Sequence, residues 1–317
     1  KFIEPSELLT VGRAALAANG LAVAEVTARA VDPLPGTYAG VVVRFDGEKP
    51  GDLTPPDDPA TKPLSAGTPN YDFYTLEVVQ RIGYDSFTPD NGVLIAKNKD
   101  TLRGRNGGPN EFNSYIWVID AHPEDIAMVD YVKPNGEKVM RTIADYRQLN
   151  DALFHAGIDS GSLSEWEDAP NRLHFYVIGL KRDKDGILVY KLAARSLDGA
   201  GPQPRGAALE TPAGRSGLKA KQETTPVMFT LKNTGGAAEA GAPFDADVYR
   251  LSVSVEGQGW TARLLNGLAA IKAGASEPVT VYVSRGAGAA KSAKITLRAM
   301  SESDPSKTAA STLTVSR

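Results

Sequence analysis

Tyr249, Leu251, Val253 and Val255 alternate with Arg250, Ser252 and Ser254, and farther on Ile295, Leu297 and Ala299 alternate with Lys294, Thr296 and Arg298. A period of two puts one set of side chains on each face of a strand, so these stretches have one face to bury and one to hydrate. The same grammar recurs over residues 227–232, 248–255, 260–265, 279–283, 294–300 and 311–315 at nearly regular spacing. Strands of this kind bury their apolar faces by pairing as two sheets, which predicts a β-sandwich over 226–317.

The first two thirds carry the same signal less regularly. Residues 21–27, 40–45, 73–82, 92–97, 114–120, 126–132, 173–181 and 186–192 are short, rich in β-branched or aromatic side chains, and separated by turn residues. Tyr74, Leu76 and Val78 alternate with Thr75, Glu77 and Val79, and the Pro89-Asp90-Asn91-Gly92 cluster precedes the apolar run at 93–95, which predicts a paired hairpin. Asp183-Lys184-Asp185-Gly186 predicts the tight turn of a second hairpin. Two helices are expected. One lies in the first twenty residues, where Ser6 can cap, Leu8, Leu9, Val11 and Ala15 share a stripe, and Gly20 stops the run; the other spans 141–156, ending at Gly157. Residues 198–225 have no period of either kind and are rich in Gly and Pro, as linkers are. The expected fold class is mainly β: a β-rich domain over 1–197 with one or two helices, a linker over 198–225, and a sandwich over 226–317.

Composition excludes several roles. With 35 basic and 38 acidic residues among 317, the net charge of −3 leaves no electrostatic footprint for nucleic acid. No run of about 18 apolar residues offers a membrane span. The absence of cysteine removes disulfides, thiolate metal sites and cysteine nucleophiles together. Gly-x-Ser-x-Gly and phosphate-loop motifs are absent, and Gly104-Arg105-Asn106-Gly107-Gly108 lacks the setting of a dinucleotide loop. Abundant Ala, Gly and Arg suggest a bacterial source.

Residues 46–70 form a long polar loop in which Asp46, Glu48, Asp52, Asp57 and Asp58 could supply oxygen ligands to calcium; a solvated acidic loop is the competing reading. Trp260 could stack on a sugar ring, against the alternative of a core indole between two sheets. Trp117 and Trp166 read as packing residues, and His174 as a satisfied core residue. His155 would sit at a helix end, where the dipole favours a cation.

Within residues 71–100, the words LEVVQR, GYDSF and GVLI resemble the segment that follows the catalytic helix in secreted immune-inhibitor-A-type zinc metallopeptidases. Such enzymes hold zinc with a His-Glu-x-x-His helix, because histidines four apart share one face. His122, His155 and His174 are widely separated and none belongs to such a motif, so zinc is expected only if a catalytic domain lies upstream. The start at Lys1, with neither Met nor a signal peptide, is expected of a fragment or processed form. On this resemblance Glu77 and Arg81 would pair on one strand face and brace the sheet beside that domain. The words FTLKNTG, GWTARLL, AIKAGASEPVTVYV and SAKITLRAMSESDPSKTAASTLTV are similar to bacterial immunoglobulin-like domains of the alpha-galactosidase-associated type. Together these imply a non-catalytic accessory region of a secreted or cell-surface bacterial metallopeptidase-like protein, serving in substrate presentation, spacing or adhesion. The alternative is a free-standing extracellular protein that binds glycan or protein, with calcium in its acidic loop.

Overall fold

A computed structural model describes residues 3–51, 71–98, 116–122, 128–132, 134–142, 152–212, 218–219 and 224–317 of the chain. In its first half, β1 (Leu8–Gly12), β3 (Gly40–Arg44), β4 (Phe73–Val79), β5 (Gly92–Asn98) and β6 (Ile116–Val118) form one five-stranded sheet in the order β1-β3-β4-β5-β6. Facing it, β2 (Leu21–Thr27), β9 (Glu165–Asp168), β10 (Leu173–Arg182) and β11 (Leu188–Ser196) form a four-stranded sheet in the order β2-β11-β10-β9. The helix α1 (Arg13–Asn19) joins β1 to β2, and β7 (Met128–Val132) pairs with β8 (Lys138–Thr142) as a separate ribbon.

The alternation read in the sequence places the core. Tyr74, Leu76 and Val78 of β4 point inward and meet Val26, Phe175, Val177 and Leu192 of the opposite sheet in one buried cluster. Register follows the expected hairpins: Leu76 lies opposite Ile95, and the Asp183-to-Gly186 turn closes β10 onto β11 with Gly186 N–H donating to Asp183 O at 3.1 Å.

The second half builds two more sheets. The first is four-stranded, in the order β12 (Ala207–Glu210), β14 (Thr225–Asn233), β18 (Ser276–Arg285), β16 (Trp260–Leu264). The second is five-stranded, in the order β13 (Leu218–Lys219), β20 (Thr308–Ser316), β19 (Ser292–Ser301), β15 (Ala246–Glu256), β17 (Leu268–Lys272). Val227, Phe229 and Val281 of the first sheet and Tyr249, Ile295 and Leu313 of the second share one core.

Two helical expectations are corrected. Leu8 to Gly12 is a strand parallel to β3, because Leu9 and Val11 reach the inter-sheet core only by alternation, and the helix begins at Arg13. Of the helix expected over 141–156, the start lies in β8, and Phe154 exchanges backbone hydrogen bonds with Val93 at 2.9 Å, so both described ends are extended; residues 143–151 lie outside the described residues. The segment expected as a linker is partly structured, since β12 pairs with β14 and Gly201 to Arg205 lie against α1.

Candidate functional site

A connected set of charged side chains lies on the seam between the two halves. Its apolar floor comes from β2, β10 and β11 on one side and β15 and β17 on the other: Leu21, Tyr176, Ile178 and Ala193 pack on Val248, Leu268 and Ala270, all buried. Removing such surface from water supplies roughly 25 cal/mol per Å². That attraction is non-directional, so the polar groups around it decide the relative placement of the sheets.

Arg250, on β15, makes the central connection. Its guanidinium donates Nη1 to Glu165 Oε1 at 2.9 Å and Nη2 to Glu165 Oε2 at 2.7 Å, the forked geometry that suits a carboxylate. Its Nε donates to Glu302 Oε1 at 2.7 Å. One cation from the second half thus binds β9 of the first half and the loop that follows β19 of its own. Hydrogen bonding to Glu165 raises the guanidinium further above its ordinary range, against the burial that lowers it.

The other oxygen of Glu302 accepts the Tyr176 hydroxyl at 2.9 Å, and Arg195 Nη1 donates to that hydroxyl at 3.3 Å. Burial pushes the Tyr176 phenol well above its ordinary value, with the Glu302 charge adding to the rise, so it stays a donor. His174 stacks on Tyr176 with ring centroids 4.1 Å apart, its Nδ1 lies 3.0 Å from the Tyr176 oxygen, and its Nε2 lies 3.0 Å from Glu165 Oε2. Burial raises the Glu165 carboxyl, but hydrogen bonds from His174 and Arg250 and the Arg250 charge outweigh it and hold the group at about 2.

The loop that supplies Glu302 is held by its own sequence. Ser301 and Ser303 donate to the two oxygens of fully buried Asp247 at 2.6 and 2.7 Å, and Asp304 accepts from Ser306 N at 3.0 Å. Arg205 extends the seam from the segment before β12. It donates to Ala200 O and Ala246 O and lies 3.7 Å from Asp247 Oδ1. At the far end Lys191 donates to Glu277 at 2.7 Å, and Asn266 donates to Ile178 O. Glu165, Glu302, His174 and Tyr176 are therefore all engaged by protein partners, and the arrangement is one of attachment.

The residues singled out in the sequence lie elsewhere. Asp46 sits in a turn with φ of 54°, and Glu48 pairs with Arg13 at 3.3 Å; Asp52, Asp57 and Asp58 lie outside the described residues. Among the described residues no group of three or more His, Cys, Asp or Glu side chains comes together to hold a metal ion. Trp260 is only 6% exposed, packs in the second core and donates its indole N–H to Ala290 O at 3.0 Å, which corrects the sugar-stacking expectation: no ring face is free. Trp166 stacks on Phe175, as a packing residue should. The expected Glu77 to Arg81 pair does not form; Glu77 accepts from Arg29 at 2.8 Å, and Arg81 lies beyond the end of β4. His155 faces Asp90 at 3.1 Å and caps no described helix.

Glu165, Tyr176, Arg195, Arg250 and Glu302 escaped the sequence reading. Each is an ordinary polar position on a strand or loop, with no local pattern that sets it apart.

Residues 1–197 match a family model described as a middle domain, and residues 208–317 match one described as a peptidase M6-like domain. The first match covers more than half of the chain, and the chain belongs to that middle-domain family, with a metallopeptidase-like region following it. A relative in Arthroderma benhamiae, described as "Putative secreted metallopeptidase", is 42% identical over 311 residues, which is 94% of this chain and 43% of the relative. The chain thus spans less than half the length of that relative. The relative is fungal, and nothing in these matches carries the bacterial source suggested by composition.

Proposed function

We propose that this chain is a non-catalytic accessory region of a secreted metallopeptidase-like protein, a fixed two-part β scaffold that serves in substrate presentation or spacing. The carrying observation is the Arg250 bridge: the residues with the most evident chemistry, His174, Glu165, Tyr176 and Glu302, are bound to one another and to arginines across the seam. A catalytic base or nucleophile needs a face open to substrate, and these groups spend their hydrogen bonds on holding two domains together. The location rests on the relative's description as secreted. In this reading the C-terminal pair of sheets is an immunoglobulin-like module, which the expected strand alternation and shared core support. Incubating the purified chain with casein, with and without added zinc, tests the proposal: no cleavage is expected, and zinc-dependent cleavage would overturn it.

A second reading, as a binding protein for an extracellular glycan or protein, is favoured by one observation. Tyr84 is 75% exposed and Phe87 84% exposed on a turn whose Asp85 is buried and clamped by Arg29 at 2.9 Å. Tyr84 lies on the 3-10 turn Gly83–Asp85 and Phe87 two residues beyond it, so one short segment exposes two aromatic rings. Tyr84→Ser with Phe87→Ser should abolish retention on an insoluble polysaccharide under this reading and leave the fold intact.

A further inference from the structure

Between the two sheets of the first half, Lys97 of β5 enters a box walled by Tyr71, Tyr74 and Trp166. Its Nζ lies 5.0 Å from the Tyr71 ring centre, 5.5 Å from that of Trp166, and 3.9 Å from Asp168 Oδ2. The same Asp168 oxygen accepts Asn171 Nδ2 at 3.0 Å. A 3-10 turn, Ala169–Asn171, follows β9 and brings Asn171 round beside Asp168, since residues three apart overlie one another in such a turn. Lys97 is 7% exposed, Asp168 3% and Asn171 0%.

The carbonyl of Asn171 is also addressed. Gly51 N–H donates to its Oδ1 at 2.7 Å, which fixes which amide atom is oxygen and aims a backbone donor where negative charge would gather if the carbon were attacked. Asn171 Nδ2 also lies 2.7 and 2.9 Å from the Tyr71 and Tyr74 hydroxyl oxygens, which share its second proton, and the Tyr74 hydroxyl donates to Asp168 Oδ2. An amine, an amide carbonyl held by a backbone donor, and a carboxylate between the two nitrogens are thus enclosed together in a water-poor space.

We infer that Lys97 and Asn171 are the partners of an intramolecular isopeptide cross-link, with Asp168 as proton carrier. Lys97 passes a proton to Asp168 and its Nζ attacks Asn171 Cγ, forming the Nζ–Cγ bond while the charge on Oδ1 is met by Gly51 N–H. Asp168 returns the proton to Nδ2, the Cγ–Nδ2 bond breaks, and ammonia departs. Asp168 then takes the surplus proton from the new amide nitrogen and yields it to the ammonia, which leaves as ammonium. No oxidant, reductant or co-reactant enters. The cross-link ties β5 of one sheet to the turn after β9 of the other, a covalent staple in a chain that has no cysteine to make one.

Intact-mass spectrometry of the purified chain tests this. The expected mass is that of the sequence less one ammonia, with trypsin failing to cut after Lys97 and a branched peptide joining Lys97 to Asn171. Asp168→Ala should restore the full sequence mass in folded protein. Should that variant not fold, Asn171→Asp keeps the test open, because attack on a carboxyl expels water and the deficit becomes one water. Full sequence mass with ordinary cleavage after Lys97 would overturn the inference, as would loss of water from the unaltered chain with Lys97 joined to Asp168.

Discussion

Arg250 and Glu165 meet through two parallel hydrogen bonds at 2.7 and 2.9 Å, although one lies on β15 of the second half and the other on β9 of the first. Both are partly buried, so the pair is worth more than a solvated surface bridge, which contributes roughly 0–1 kcal/mol. A double-mutant cycle of Arg250→Ala and Glu165→Ala, read by urea unfolding, should give a coupling energy of about 1–3 kcal/mol. Additive effects would show that the two residues merely coexist.

The same pair sets an acid response. The Glu165 carboxyl is depressed from 4.5 to about 2 in the folded chain. A depressed carboxylate contributes stability that is complete above its unfolded value and is lost as pH falls toward its folded one. Stability should therefore decline between pH 4.5 and about 2, and Glu165→Gln should flatten that limb while lowering stability at neutral pH. Unfolding midpoints across this range check it.

Trp260 serves the core and not a ligand. Deleting its buried indole leaves a cavity and an unpartnered Ala290 carbonyl, so Trp260→Ala should cost about 3–5 kcal/mol. Equilibrium unfolding measures this; a change within a few tenths would mean that the ring does not pack as described.

Gly20 ends α1 with φ of 85°, and a Cβ there would collide with the backbone of Ala200 in the segment that crosses to the second half. Both left-handed strain and overlap oppose a side chain, so Gly20→Ala should destabilise by about 1–3 kcal/mol. Gly36, with φ of 80° but open space around it, separates the terms: its alanine variant should bear the strain alone.

How far the sequence foretold this can be seen element by element. β2 was bounded by the sequence reading as the structure has it, because its run of small and branched residues is cut by turns on both sides. β17 was missed, since Leu268-Ala269-Ala270-Ile271-Lys272 is short and alanine-rich and shows no clean period. β1 reads as helix in the sequence because Leu8, Leu9 and Val11 satisfy a helical stripe as well as a strand, and only pairing with β3 decides between them. The seam was illegible for a deeper reason. Arg250 finds Glu165 85 residues away and Tyr176 finds Glu302 126 residues away, and local periodicity carries no record of such meetings. The apolar strand around His174 marks it as a satisfied buried residue, but nothing local names Glu165 and Tyr176 as its partners.

Held by this seam, the two β halves should unfold as one cooperative unit. Differential scanning calorimetry of the purified chain measures this most directly, because independent domains unfold in separate steps. A single transition whose van't Hoff and calorimetric enthalpies agree is expected, resolved into two by Arg250→Ala. Two separate transitions in the unaltered chain would contradict it.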